Sequence, residues 1–253
     1  MTGLRTIDLD TLNSATKYPS IPTYHALDPK NGGLLDTTVP FSGRVVLTEK
    51  LDGSNARVIT LPDGGYVLGS REELLYAKGD LIGNPAQGIV GALRAVAERL
   101  TPPAEGVRTL YLEVYGGKIT GASRQYTGHR AVGHRMFDTA DVPAEVLDWP
   151  RHRVSAWRDG GGPDFLGEDA LAALAAREGI DLVPRLGTVD GGGLPTGIEE
   201  TQGFLADHLP ATRAALDDDA GRRPEGIVLR TADRSAIAKA RFQDYARMLK
   251  RRR

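Results

Sequence analysis

The stretch VVLTEKLDGSNARVIT, Val45 to Thr60, contains two β-branched runs on either side of the sequence Asp-Gly-Ser-Asn. Val, Ile and Thr favour extended backbone and Asp-Gly favours a tight turn, so the stretch predicts two consecutive strands. Lys50 lies at the end of the first strand and is followed at once by Leu51 and Asp52. A solvent-facing lysine beside an ordinary turn is the simplest explanation, and only the rest of the chain can favour another one.

Further strands and helices are predicted around this stretch. PDGG, residues 62–65, predicts a hairpin turn into YVLGSRE, and further strands are predicted at RTLYLEVYGG, HRMFDTA, DLVPRLG, EGIVLR and AIAKAR. Helical spacing of apolar residues predicts helices at GIVGALRAVAERL, GEDALAALAAREGI and IEETQGFLADHL. Residues 1–40 are predicted to be an irregular lead-in. The pattern indicates one α+β domain, residues 1–253, built on antiparallel sheet with packed helices.

The composition excludes several classes of protein. The 253 residues include no Cys, which excludes disulfides and thiolate chemistry, and neither a P-loop nor an H-E-x-x-H motif is present. No apolar run approaches 18 residues and no signal peptide is evident, so we expect a cytoplasmic protein that does not bind membranes. The net charge is −1, but residues 242–253 form a short basic tail. We expect this tail to be either solvated or in contact with phosphate.

Charged residues recur at the ends or interiors of the predicted strands. Each could be an exposed strand charge, but together with Lys50 they form an ordered set that this explanation does not cover. The set comprises Arg71, Glu113, Glu225, Lys239 and Arg241. The last two share one face of AIAKAR because side chains alternate along a strand.

The order K-x-D-G-x-N, S-R, E-x-Y-G, F-D, E-G-I-V-L-R and K-x-R resembles the motif series of the covalent nucleotidyltransferases. That superfamily comprises the ATP-dependent DNA and RNA ligases and the mRNA capping enzymes. The sequence is most similar to the RNA ligase branch typified by the second RNA ligase of bacteriophage T4. The series runs from Glu49 to Arg241 and covers most of the chain. The resemblance implies an antiparallel-sheet-based nucleotidyltransferase fold, an ATP-grasp-like ligase adenylation domain.

The resemblance also implies a chemistry for Lys50, which would attack the α-phosphate of ATP and carry AMP before its transfer to RNA. The expected substrates are ATP and RNA with 5′-phosphate and 3′-hydroxyl ends. The expected metal is Mg²⁺ or Mn²⁺, held by Asp52 and Glu225 through water. Phe137 would stack on adenine, Glu49 would contact it, and Glu113 would bind a ribose hydroxyl. The full nucleotide-binding set implied is Glu49, Asn55, Arg71, Glu113, Phe137, Glu225, Lys239 and Arg241.

Alternatives remain open at this point. Only twelve residues follow Arg241, so we expect no OB domain, which disfavours a DNA nick ligase or a GTP-dependent capping enzyme. A partner protein could supply recognition of RNA ends. The chain could also transfer AMP to another acceptor. A further alternative is a non-catalytic module that binds nucleotides or RNA ends. A basic cluster, His129, Arg130, His134 and Arg135, is a candidate contact for RNA or phosphate.

Overall fold

The computed structural model describes residues 3–83 and 88–252, although the side chains of Leu81 and Arg252 are not described. The α-helices in these ranges are α1 (Leu9–Ala15), α2 (Ile89–Ala97), α3 (Arg151–Asp159), α4 (Glu168–Glu178), α5 (Ile198–His208) and α6 (Phe242–Arg252). The strands are β1 (His25–Leu27), β2 (Leu34–Thr38), β3 (Arg44–Lys50), β4 (Ser54–Thr60), β5 (Tyr66–Ser70), β6 (Leu74–Ala77), β7 (Asp80–Leu81), β8 (Val107–Gly116), β9 (Val132–Val142), β10 (Asp164–Phe165), β11 (Arg185–Asp190), β12 (Gly226–Thr231) and β13 (Ile237–Arg241).

Two antiparallel sheets form the framework. The larger sheet has seven strands in the order β10-β9-β8-β4-β5-β6-β7, and the smaller has four in the order β11-β3-β12-β13. β1 and β2 form a separate hairpin. The predicted antiparallel α+β class is therefore confirmed.

The connection from β3 to β4 carries the chain from the smaller sheet into the larger one within three residues. Gly53 makes this possible, because a Cβ at that position would lie 2.3 Å from the carbonyl oxygen of Val114 in β8. The turn predicted from Asp-Gly thus brings the end of one sheet directly against the other.

Both sheets pack against helices, and the larger sheet does so on both of its faces, with α1 and α3 on the second one. On the larger sheet, α2 and α4 cover a core to which Leu93, Val96 and Leu171 contribute. On the smaller sheet, α5 and α6 cover a second core that contains Leu205 and Tyr245. Burial of these apolar side chains provides the main driving force for the packing of both layers.

The prediction of an irregular lead-in over residues 1–40 is wrong, because this segment contains α1, β1 and β2. Asp8 caps α1 by accepting a hydrogen bond from the backbone N–H of Thr11 at 2.7 Å, and Leu12 and Ala15 are buried. The Pro and Gly residues that suggested irregularity lie between these short elements. Met1 and Thr2 lie outside the described residues.

The basic tail is also more than a solvated end, because most of residues 242–253 form α6; Arg253 lies outside the described residues. Its apolar residues recur at helical spacing, and Tyr245, Met248 and Leu249 pack against the second core. Helix α3 was not predicted because its sequence, RHRVSAWRD, is mostly polar. None of the helices in the described ranges combines the length and the hydropathy needed to cross a membrane.

Candidate active site

A cavity of about 700 Å³ lies where the two sheets meet. Both sheets contribute to its walls, through β3, β12 and β13 on one side and β4, β5, β8 and β9 on the other. Its lining includes eight residues of the set predicted from the sequence, namely Glu49, Lys50, Asn55, Arg71, Glu113, Phe137, Lys239 and Arg241.

Lys50 and Glu225 form an ion pair at the edge of this cavity, with 2.6 Å between Nζ and Oε2. The register of the smaller sheet explains the contact. Gly226 pairs with Lys50 on β3 and with Arg241 on β13, so residue 225 lies beside both of their strands. Antiparallel pairing therefore assembles these charged residues from sites far apart in the sequence.

The turn after Lys50 is held by hydrogen bonds from three directions. The N–H of Gly53 donates to Oε1 of Glu113 at 3.0 Å, and the N–H of Asp52 donates to the Tyr126 hydroxyl at 2.7 Å. Thr120 Oγ1 donates to the carbonyl oxygen of Asp52 at 3.2 Å. The backbone between the two sheets is thereby fixed in position.

Three carboxylates surround the lysine. Burial raises the pKa of Glu113 to about 8; the Lys50 charge and the Gly53 hydrogen bond oppose this rise, and Glu225 and Asp52 add to it. Burial also raises the pKa of Glu225, again against the effect of Lys50. Glu113, Glu225 and Asp52 thus form an acidic cluster beside Lys50.

These acids fit a divalent metal held partly by water. Within residues 3–83 and 88–252, no three acidic or histidine side chains converge closely enough to chelate a metal directly. Mg²⁺ usually keeps several waters and uses one or two carboxylates together with substrate phosphates. Asp52 lies near enough to Glu225 for its charge to raise the pKa of that carboxyl, and these two acids are suitable as such partners.

Cationic groups line the cavity beyond the lysine. Burial lowers the pKa of Lys239, and the charges of Arg241, Lys50 and Arg71 lower it further. Arg241 is oriented by Asp244 of α6, which accepts a hydrogen bond from its Nε at 2.8 Å. These groups form a positively charged region suited to an anion such as a phosphate chain.

Two aromatic side chains, Phe137 and Tyr18, also line the cavity. The rings of Phe137 and Tyr18 meet edge to face, with 5.0 Å between their centroids. Tyr18 also donates from its hydroxyl to Asp138 at 2.9 Å, and Asp138 pairs with Arg230 and Arg234. Tyr18 was not singled out from the sequence, since it lies in the segment predicted to be irregular.

Two further predicted residues have contrasting surroundings. Among the described residues, no group donates a hydrogen bond to the buried Oδ1 of Asn55. The carboxylate of Glu49 is fully buried, and its oxygens accept hydrogen bonds from the Thr212 hydroxyl and from the N–H of Arg213 at 2.8 Å. Burial raises the pKa of Glu49. No local sequence pattern indicated that the 212–213 segment would reach it.

Two members of the basic cluster predicted near residue 130 are paired with acidic side chains. His129 pairs with Asp219 at 2.6 Å, whereas Arg135 contacts Asp181 and donates to the Tyr115 hydroxyl. Burial lowers the pKa of His134.

Solved RNA ligases have a similar fold at low sequence identity. A lysine-to-alanine variant of the Naegleria gruberi RNA ligase with ATP and Mn has a TM-score of 0.55 at 17% identity, over 84% of this chain and 52% of that one. An archaeal ATP-dependent RNA ligase has a TM-score of 0.53 at 19% identity, over 90% and 49%. The Naegleria gruberi RNA ligase with PPi has a TM-score of 0.54 at 15% identity, over 92% and 64%. The chain thus spans less than two thirds of each of these proteins.

The sequence itself indicates a family relationship. No protein of curated function matches it significantly. The sequence profile of the RNA ligase family matches residues 43–247, which include every predicted site residue. Because this match covers most of the 253 residues, the chain belongs to the RNA ligase family.

Proposed function

We propose that this chain is an ATP-dependent RNA ligase of the nucleotidyltransferase type, with an ATP-grasp-like adenylation domain, in which Lys50 carries AMP. The observation that carries the proposal is the convergence of Lys50, Glu113, Lys239 and Arg241 on one cavity between two sheets, with Glu225 paired to Lys50 at its edge. Membership of the RNA ligase family supports the same conclusion.

In the first step, the unprotonated Nζ of Lys50 attacks the α-phosphorus of ATP. A P–N bond forms, the bond from the α-phosphorus to the bridging oxygen breaks, and pyrophosphate leaves. Glu225 Oε2, 2.6 Å from Nζ, is well placed to accept the proton that the amine loses. The product is a lysyl-AMP phosphoramidate.

In the second step, an oxygen of the RNA 5′-phosphate attacks the same phosphorus, and the P–N bond breaks. The RNA 3′-hydroxyl then attacks the activated 5′-phosphate, which forms a phosphodiester bond and releases AMP. Negative charge spreads over the phosphate oxygens in these transfers, and the positions of Arg71, Lys239 and Arg241 suit its stabilisation.

The adenosine is bound on the opposite side of the cavity. Phe137 stacks on the adenine ring, supported from the side by Tyr18. Asn55 Oδ1 and Glu113 accept hydrogen bonds from the nucleotide, and Glu49 contacts the base near the segment at residues 212–213. Asp52 and Glu225 would hold a divalent metal through water, and that metal would supply charge neutralisation at the phosphates.

A pulse–chase experiment tests this proposal. The protein is incubated with ATP labelled at the α-phosphate and with Mg²⁺, separated from ATP, and then mixed with 5′-phosphorylated RNA. We expect the label to appear on the protein and then to move to the RNA. Labelled GTP in place of ATP, and DNA of the same sequence in place of RNA, serve as alternative substrates. The proposal would be contradicted by label that never leaves the protein, or by tight ATP binding without any adduct.

A further inference from the structure

A second cavity, of about 320 Å³, lies between α1 and α3 and adjoins the nucleotide cavity. The two cavities share part of their lining, namely residues 18–20, Arg71 and Glu72. We call the second cavity the α1–α3 groove. Its charged lining residues are Lys17, Arg71, Glu72, Arg151, Arg158 and Asp159.

The α1–α3 groove is positively charged, whereas the whole protein is close to neutral. Four of its charged residues are cations and two are acids, so its formal charge is +2, against −1 for the chain. A concave surface of one charge sign attracts ligands of the opposite sign. The chemistry that fits this groove is therefore anionic.

One position in the groove already holds an anionic oxygen. Glu72 Oε2 lies 2.7 Å from Lys17 Nζ, and Oε1 lies 3.6 Å from Arg71 Nε. The hydrogen bond from Lys17, together with the charges of Lys17 and Arg71, holds the pKa of Glu72 below its ordinary value. The Glu72 side chain is 65% exposed, so it can move away and leave both cations to a phosphate.

The walls of the groove are held in place by buried arginine contacts. Arg57 is fully buried and donates to the carbonyl oxygens of Asn13 and Ser70, which ties the end of α1 to β5. Arg158 of α3 donates to the carbonyl oxygen of Ser14 at 2.7 Å. A rigid cationic groove can bind a charged chain with little loss of its own conformational freedom.

We propose that the α1–α3 groove binds backbone phosphates of the RNA strand whose 5′-phosphate receives AMP. This inference rests on the proposed function. The terminal 5′-phosphate must reach Lys50, and the next phosphates along the strand then pass Arg71 into the groove. Lys17 and Arg151 contact these phosphates, and Glu72 competes with them for Lys17.

Variants of the groove test the inference in the full-length protein. Lys17→Ala and Arg151→Ala remove a cation, Glu72→Gln removes the competing anion, and Arg153→Ala is the matched control. Arg153 lies on α3 together with Arg151, but it does not line the groove. Its guanidinium instead stacks on the Trp149 ring, 3.8 Å from the ring centroid. Three quantities are measured: self-adenylylation without RNA, the Kd of a 5′-phosphorylated RNA oligonucleotide at several salt concentrations, and AMP transfer to that RNA.

We expect self-adenylylation to be unchanged in Lys17→Ala, Arg151→Ala and Arg153→Ala. Lys17→Ala and Arg151→Ala should each raise the Kd for RNA about fivefold. Each should also make the negative slope of log K against log salt shallower by about 0.7, the value for one phosphate contact on a single strand. Glu72→Gln should tighten RNA binding, a gain that misfolding cannot produce, and Arg153→Ala should match the wild type.

The inference is overturned if the wild type transfers AMP to RNA but the groove variants bind and transfer as it does. It is also overturned if the variants transfer AMP to the RNA 5′-phosphate at the normal rate and only the later sealing step slows. The groove would then bind the strand that carries the 3′-hydroxyl. By contrast, a wild-type protein that forms no adduct with ATP contradicts the proposed function itself.

Discussion

Lys50 Nζ donates a hydrogen bond to Glu225 Oε2 across 2.6 Å, and the two side chains are only 26% and 14% exposed. The pair joins the end of β3 to the residue before β12 and lies beside the nucleotide cavity. The proposed nucleophile is therefore held in a defined position by an acid that can also accept its proton.

Replacing Glu225 with Gln keeps the shape of the side chain but removes its charge. We expect the rate of self-adenylylation to fall about tenfold or more, because the proton acceptor and a metal partner are lost. The melting temperature should change little, since the carboxamide oxygen can still accept a hydrogen bond from Lys50. The initial rate of label incorporation from ATP measures the effect, with the exposed Glu199→Gln as control. An unchanged rate would rule out this role for Glu225.

Asn55 offers a test that separates function from stability. Because its buried Oδ1 has no hydrogen-bond donor among the described residues, Asn55→Ala loses no hydrogen bond at that atom. We expect an unchanged or higher free energy of unfolding and a raised apparent KM for ATP in self-adenylylation.

Asn13 is the matched control for Asn55. Its Oδ1 accepts from Arg57 at 2.7 Å and its Nδ2 donates to the Glu72 carbonyl at 3.1 Å. Asn13→Ala should lower the free energy of unfolding by about 1–3 kcal/mol, because a buried guanidinium loses a partner. Urea denaturation measures both variants, and equal losses for the two would be inconsistent with this interpretation.

The pH dependence of stability should reveal Glu113. Its pKa is raised to about 8 in the folded protein, so between its ordinary value near 4.5 and 8 the folded state holds a proton that the unfolded chain has lost. The associated stability is fully present below pH 4.5 and is lost as the pH rises through 8. In the nucleotide-free protein, melting temperature should fall more steeply from pH 5 to 8 for the wild type than for Glu113→Gln. Parallel profiles would show that Glu113 ionises normally.

The contact between Arg241 and α6 should affect catalysis. Asp244 is buried and accepts hydrogen bonds at 2.8 Å from both Arg241 Nε and Arg247 Nη2. Asp244→Asn should lower the rate of self-adenylylation several-fold, because Arg241 is no longer oriented by a charge. Arg247→Ala, which removes the other partner of the same carboxylate, should leave that rate unchanged. Equal rates for Asp244→Asn and the wild type would show that Arg241 needs no support from α6.

The sequence indicated the parts of the site that depend on local residue preferences. The β3–β4 turn and the position of Glu113 within β8 follow from turn residues and β-branched runs, and both occur as predicted. The hydrogen bond from Thr212 to Glu49 joins residues that are 163 positions apart in the sequence, and the one from Tyr18 to Asp138 joins residues that are 120 positions apart. Such contacts depend on how loops and the N-terminal segment pack, which no local pattern encodes. Helix α3 and its groove were missed for a related reason, since few of its residues are apolar.

Tandem mass spectrometry of the protein after incubation with ATP and Mg²⁺ tests the central claim most directly. We expect AMP on the peptide that contains Lys50, linked to that side chain, and no AMP on the Lys50→Ala protein. AMP attached at a different residue, or equal modification of the Lys50→Ala protein, would contradict the assignment of Lys50 as the nucleophile.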